Sequence, residues 1–196
     1  LCTADHGVPQ QRRRIFFVGL RRDVVRGSFA FPESLPATPV DAFLERHVGQ
    51  HEDFSSSVQA IVDAALGELR TAGARPEDEN HFVDVDASAR WRRSSRLCPC
   101  LTASRSRGHW LTARRRWTSV RELCWLQGLR FPAKLAVTER QFGRLIGNAM
   151  SGNVIERLLR CVLLALGRGT EATLPDRWRD YALGLSGAIP PCRSDP

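Results

Sequence analysis

A continuous apolar run, Ile15-Phe16-Phe17-Val18-Gly19-Leu20, is followed by a stretch of clear helical period. Short unbroken runs of this kind read as buried strands, typical of the interior of an α/β sheet. Val58, Ile61, Val62, Ala65, Leu66 and Leu69 recur at i, i+3, i+4, i+7, i+8 and i+11, which predicts an amphipathic helix over about 55–71. Between the two, residues 26–41 carry Pro32, Pro36 and Pro39 and read as loop. Residues 71–80 are polar, with Gly73 and Pro76, and read as a second loop; 81–85 is expected to be a short strand.

Ser119-Val120-Arg121-Glu122 has the spacing of a capping box. A serine hydroxyl can accept from the N3 amide while the glutamate reaches back to the cap amide. A helix is expected from there to about Gln127, stopping at Gly128. Ser151 or Asn153 can cap a last helix over 153–166, with Val154, Ile155, Leu158, Leu159 and Val162 inward and Gly167 as its stop. After Thr170 the pattern fades, and Pro175, Pro190 and Pro191 suggest a loose tail. There are no internal repeats.

At 196 residues, 42% hydrophobic and 26% charged, the chain has the size and composition of one globular domain and is neither collagen-like nor wholly disordered. The longest apolar stretch, around 161–166, is far shorter than the roughly 20 residues of a membrane helix. No signal peptide is visible. The chain opens on Leu1 in mid-pattern and reads as a fragment.

The net charge is +8, carried by 28 Arg and the single Lys134. Between Arg90 and Arg121 there are ten Arg and no Asp or Glu, so this window carries +10 and the remainder −2. Trp91, Trp110, Trp117 and His109 interleave with these arginines. Arginine offers a planar fork to phosphate or to a guanine edge, so the window favours a nucleic-acid surface over a merely solvated one. The candidate contacts are Arg105, Arg107, His109, Arg114, Arg115 and Arg116.

The six cysteines (2, 98, 100, 124, 161 and 192) fit no disulfide framework, which favours a reducing, intracellular setting. Cys98, Cys100, His109 and Cys124 could be imagined around zinc, but there is no second C-x-x-C and no metal is expected. Cys124 and Cys161 fall on apolar helical faces and read as core.

Three stretches, in order, resemble the cytosine-C5 DNA methyltransferases. Gly7-Val8-Pro9-Gln10-Gln11-Arg12-Arg13-Arg14 is similar to the family's G-[IV]-P-Q-x-R-x-R motif. Arg116 to Glu122, continuing to Leu126-Gln127-Gly128, is similar to R-x-L-T-x-R-E…L-Q-G-[FY]-P. It departs from that pattern at Thr118 and Ser119, and in placing Leu129-Arg130 before Phe131-Pro132. Gly147-Asn148-Ala149-Met150 is similar to the closing G-N-[AS]-[VM]. Leu97 to Ser104 resembles the P-x-L-T segment that often precedes the second motif.

The resemblance implies a Rossmann-like α/β methyltransferase dependent on S-adenosylmethionine, with an inserted small recognition domain. Residues 1–22 would end the catalytic domain, 23–110 recognise the target, 111–167 complete the catalytic domain and 168–196 trail loosely. In the family reaction a thiolate adds to C6 of a flipped cytosine and C5 takes the methyl group. Charge develops on the ring, so a fixed cation near O2 lowers the barrier. By resemblance Arg14 is that cation, Arg12 orients it or grips phosphate, and Gln10 lines the base pocket. Arg13 falls at the variable position and would face solvent. Asn148, Ala149 and Met150 would border the cofactor, the Gly147-Asn148 pair forming a turn that lets the backbone approach closely. Arg121 and Glu122 would be structural, fixing a helix start and an ion pair.

The family's Pro-Cys-Gln and Glu-Asn-Val motifs do not occur in the sequence; Pro99-Cys100 is followed by Leu101. The expected partners are therefore DNA and an N-terminal remainder of the same enzyme. The alternatives are an inactive basic DNA-binding relative, a tRNA cytosine-5 methyltransferase and a zinc-bound basic protein.

Overall fold

The computed structural model describes residues 1–46, 55–87, 96–185 and 190–193. Trp91, Arg90, Arg92 and Arg93 of the basic window, with His47 and His51, lie outside the described residues. The elements are α1 (Ser56–Thr71), β1 (Phe82–Val83), β2 (Trp110–Leu111), β3 (Arg116–Trp117), α2 (Val120–Leu126), α3 (Glu139–Asn148), α4 (Gly152–Ala165) and α5 (Arg177–Ala182). Single 3-10 turns stand at Thr3–His6, Val40–Phe43 and Ala103–Arg105.

The only sheet among the described residues is antiparallel in the order β1-β2-β3, with Val83 opposite Trp110 and Trp110 opposite Trp117. Helix α1 lays Val62, Ala65 and Leu69 inward, and Val62 and Ala65 form a small apolar cluster with Val83, Val85 and Trp110. The main core is larger and draws on the whole chain: Val8, Phe43, Phe82, Leu101, Leu111, Leu123, Trp125, Ile146, Trp178 and Tyr181 all belong to it. Within the expected loose tail, Arg177–Ala182 is thus an ordered helix, α5. Helix α5 buries Trp178 to 1% exposure. That indole packs against Gly7, where a Cβ would come within 3.3 Å of it.

The expected strand at 15–20 does not form. The chain there has no regular secondary structure, with Ile15 and Phe17 exposed and Phe16, Val18 and Leu20 half-buried, and its backbone makes no ladder with any described residue. Apolar side chains alone do not make a strand; the backbone needs a neighbouring edge to bond.

The capping box at Ser119 forms as expected, with Glu122 N–H donating to Ser119 Oγ at 3.1 Å and Ser119 N–H to Glu122 Oε2 at 2.8 Å. Helix α2 ends at Gln127, and Gly128 follows with φ +71°. Helix α4 also forms, with Ser151, one of the two expected positions, at its N-cap, but without a side-chain cap bond. Ser151 Oγ pairs with Thr3 Oγ1 at 2.6 Å, and Asn153 Nδ2 donates to the carbonyls of Thr3 (3.1 Å) and His6 (2.9 Å). The buried stripe of α4 includes Asn153 and Arg157 beside Val154 and Leu158. These polar residues take inward positions that hydropathy would give to Leu159, which is left exposed.

Helix α3 is an addition to the sequence reading. Thr138 and Gln141 form its capping box, the same spacing that marked α2. Gly147 and Asn148 sit in its last turn rather than in a loop. A Cβ on Gly147 would lie 2.2 Å from the Thr102 carbonyl carbon, and one on Gly143 2.2 Å from the Ser106 oxygen. The two glycines, four apart on one face, let α3 lie directly on the 102–106 backbone.

Candidate functional site

The site is built where four distant stretches meet. After the turn at Thr3–His6, Gly7 takes φ +93° and turns the chain into an extended segment. Thr3 N–H bonds the Arg12 carbonyl (2.9 Å), Cys98 N–H the Pro9 carbonyl (2.8 Å) and Gln11 N–H the Cys98 carbonyl (2.8 Å). An extended chain alternates its side chains, so Gln10 and Arg12 point inward while Gln11 and Arg13 are exposed.

Gln10, fully buried, donates from Nε2 to Gln127 Oε1 at 3.1 Å. Gln127, also fully buried, donates from its own Nε2 to the Ala149 carbonyl at 2.8 Å. Arg12 donates to that same carbonyl at 2.7 Å, to the Leu101 carbonyl at 2.7 Å and to Cys100 Sγ at 3.4 Å. The three motif stretches and the Leu97–Ser104 segment are therefore bonded into one cluster. Arg12 does not orient Arg14 directly and does not face outward for phosphate; it is 5% exposed and tied to internal acceptors.

Arg14 continues the inward face of the segment but lies past its rim. It is exposed, donates to the Arg13 carbonyl at 2.7 Å, and its other terminal nitrogen stands 3.7 Å from Cys100 Sγ. Of the three candidate catalytic side chains it alone is presented to the outside. Arg14, Arg12, Ile15, Phe16, Met150 and Ser151 border a hollow of about 160 Å³. Small-molecule pockets run from roughly 300 Å³ upward. Asn148 and Met150 are exposed and the Ala149 carbonyl is already used, so the described residues do not by themselves fit S-adenosylmethionine.

The basic window is free of acids in sequence but not in space. Arg105 pairs with both Asp84 oxygens at 3.0 Å, Arg114 with Asp41 at 3.5 Å, and Arg121 with Glu45 at 3.6 Å; Arg96 pairs with Glu79. Arg116, expected to reach DNA, is buried and grips Glu122 with two nitrogens at 2.6 and 2.9 Å. Glu122 thus fixes the helix start and pairs with Arg116, while Arg121 pairs with Glu45. His109, also expected at the surface, is fully buried edge-on to Phe82. Neither of its ring nitrogens has a hydrogen-bond partner, and burial lowers its pKa to about 4. Arg107 lies 4.6 Å over the Trp117 ring, and Arg115 is exposed at the β2–β3 turn with φ +50°.

Arg107, Trp117, Arg121, Phe131, Lys134 and Arg140 line an open cleft of about 1260 Å³, whose walls also carry Glu45, Asp86 and Glu139. Lys134 and Arg140 escaped the sequence reading because they lie outside the dense arginine window. Among the described residues no group of three His, Cys, Asp or Glu could hold a metal ion, and burial raises Cys124 to a pKa of about 12.

These features fall within a match to the family model for C-5 cytosine-specific DNA methylase, which spans residues 1–163. The chain belongs to that family, whose members methylate C5 of cytosine in DNA. No curated protein sequence matches it significantly.

Proposed function

We propose that this chain is the C-terminal part of a DNA (cytosine-5-)-methyltransferase, supplying the base-pocket cation and part of the DNA-facing surface. The nucleophilic cysteine and the other walls of the cofactor site belong to an N-terminal remainder of the same enzyme, since no Pro-Cys-Gln occurs here. Residues 1–22 and 111–167 serve the catalytic body and 23–110 the recognition of target. S-adenosylmethionine is the methyl donor, and the setting is intracellular and reducing.

The observation that carries the reading is the contrast between Arg12 and Arg14. Arg12 is bonded inward to two carbonyls that position the rim, and Arg14 stands on that rim with its guanidinium open to the outside. A cation held there is placed to stabilise negative charge developing on a flipped cytosine ring. Arg107, Arg115, Lys134 and Arg140 are the cations that reach phosphate, with Trp117 as an aromatic neighbour. Arg105, His109, Arg114 and Arg116 act inside the fold to hold that surface.

The test is a matched pair in the full-length enzyme. Arg14→Ala should lower methyl transfer to duplex DNA about 100- to 1,000-fold, the usual cost of losing one donor aimed at developing charge. Arg13→Ala removes the same charge one residue away and should cost little. Equal losses in the two variants would make this segment a generic basic grip.

A further inference from the structure

Gln127 has no role in that reading beyond packing, yet its side chain, like that of Arg12, joins three segments of the cluster. Its Oε1 accepts from Gln10 and its Nε2 donates to the Ala149 carbonyl. Its backbone carbonyl accepts from Gly152 N–H at 2.9 Å. One residue thus holds both ends of the 149–152 segment and the inner face of the segment that carries Arg14. The neighbouring Gly128 adds to the clamp: a Cβ there would stand 2.7 Å from Asn153 N.

We infer that Gln127 is a positioning residue that couples the base-facing segment 10–14 to the 149–152 segment, so that DNA engaged at Arg14 is felt at Ala149 through the two Gln127 side-chain hydrogen bonds as well as through the direct Arg12–Ala149 bond. The inference rests on the reading of Arg14 as the DNA-facing cation. The geometry demands an amide at this position. The side chain must accept from Gln10 with one atom and donate to Ala149 with the other, within a site closed to water. Two sites coupled through a shared element influence each other reciprocally.

An acid at this position gives a test that packing alone would not pass. In Gln127→Glu a neutral carboxyl can still accept from Gln10 and donate to Ala149. The ionised carboxylate has no proton to give and faces the Ala149 carbonyl with like charge. Burial raises the carboxyl's pKa and the Arg12 guanidinium, bonded to the same Ala149 carbonyl, holds that rise in check, so the switch falls in an accessible range. The readout is hydrogen exchange of the peptide covering 149–153, with and without saturating duplex DNA, at pH 5.5 and pH 8.5, each variant compared with wild type at the same pH. Wild type should show exchange slowed by DNA about fivefold or more at both pH values. Gln127→Glu should keep that response at pH 5.5 and, at pH 8.5, retain only the share that the Arg12–Ala149 bond carries. Gln127→Met, which can make neither bond, should cut it at both to the share that the Arg12–Ala149 bond carries, with circular dichroism showing the helices intact. A full DNA response in Gln127→Met, or one in Gln127→Glu that ignores pH, overturns the coupling while leaving the Arg14 reading in place. If wild type fails to bind duplex DNA, the Arg14 reading falls and the coupling with it.

Discussion

Residues 8–14 and 15–20 are consecutive and behave oppositely. The first segment is rich in Gln and Arg, yet Gln10 and Arg12 are among the most buried side chains in the molecule. The second is almost wholly apolar, yet Phe17 is 95% exposed. The difference lies in partners. Backbone bonds to residues 1–3 and 98, and side-chain bonds to Cys100, Leu101, Gln127 and Ala149, hold the first, leaving only Gln10 Oε1 and Arg12 Nε of its buried side-chain atoms without a partner. Nothing described offers an edge to the second. Burial of polar groups follows from satisfied hydrogen bonds, and exposure of apolar groups from the lack of a surface to meet.

The comparison breaks most easily at Glu122. This carboxylate is fully buried and accepts from Arg116, from Ser119 N–H and from Glu45 N–H at 2.7 Å. Glu122→Ala would leave the Arg116 guanidinium buried without its counter-charge, which typically costs about 3–5 kcal/mol. Chemical denaturation should show that loss, with the melting temperature falling by roughly 10 °C. A loss below about 1 kcal/mol would mean that Arg116 finds water once its partner is gone, and that the cluster is less closed than its bonding implies.

His109 tests the same idea from the other side, as a buried polar group with no partner. Its ring is held neutral by burial, with a pKa of about 4 against 6.5 when unfolded. Between those values the unfolded state binds more protons, so its contribution is fully present above about pH 6.5 and is lost as pH falls through 4. His6, lowered to about 4 by burial and by the Arg157 guanidinium, acts in the same direction. His109→Leu should shift stability at pH 7.5 by less than about 1.5 kcal/mol, because no hydrogen bond is lost. It should also flatten the acid slope by up to about 1.4 kcal/mol per pH unit. DNA affinity should not change. If it falls, the ring reaches the surface when DNA binds.

The features legible in the sequence were the local ones. The Ser119–Glu122 box, the inward face of α1 and the stop at Gly128 each depend on residues within a turn or two of one another. The three motif stretches could be matched singly, and the structure adds that Gln10, Gln127 and Ala149 touch. What could not be read was long-range pairing. The acids that neutralise Arg105, Arg114, Arg116 and Arg121 come from Asp84, Asp41, Glu122 and Glu45, all but one far away in sequence. Helix α3 had a readable cap, but its apolar residues Phe142, Leu145 and Ile146 are too few to show a period, and Leu145 is exposed. Its contact face is glycine, which leaves no hydropathy signal.

Phe17 should give the smallest change in stability and the sharpest test of the contrast. Its ring is almost fully accessible, so removing it takes little buried area from the folded chain. Phe17→Ser should therefore alter the unfolding free energy by no more than about 0.5 kcal/mol, the range for surface positions without special contacts. Solubility should respond far more. Ile15 and Phe17 share one face of a backbone whose bonding groups are open, which is the arrangement that recruits another chain's edge. Light scattering of the isolated chain should show less self-association in Phe17→Ser, and binding of a hydrophobic dye should fall with it. Phe16→Ser makes the same chemical change on the half-buried face and should cost more stability while relieving association less. If Phe17→Ser destabilised the chain by several kcal/mol, residues 15–20 would already be packed against a surface, and the contrast with residues 8–14 would disappear.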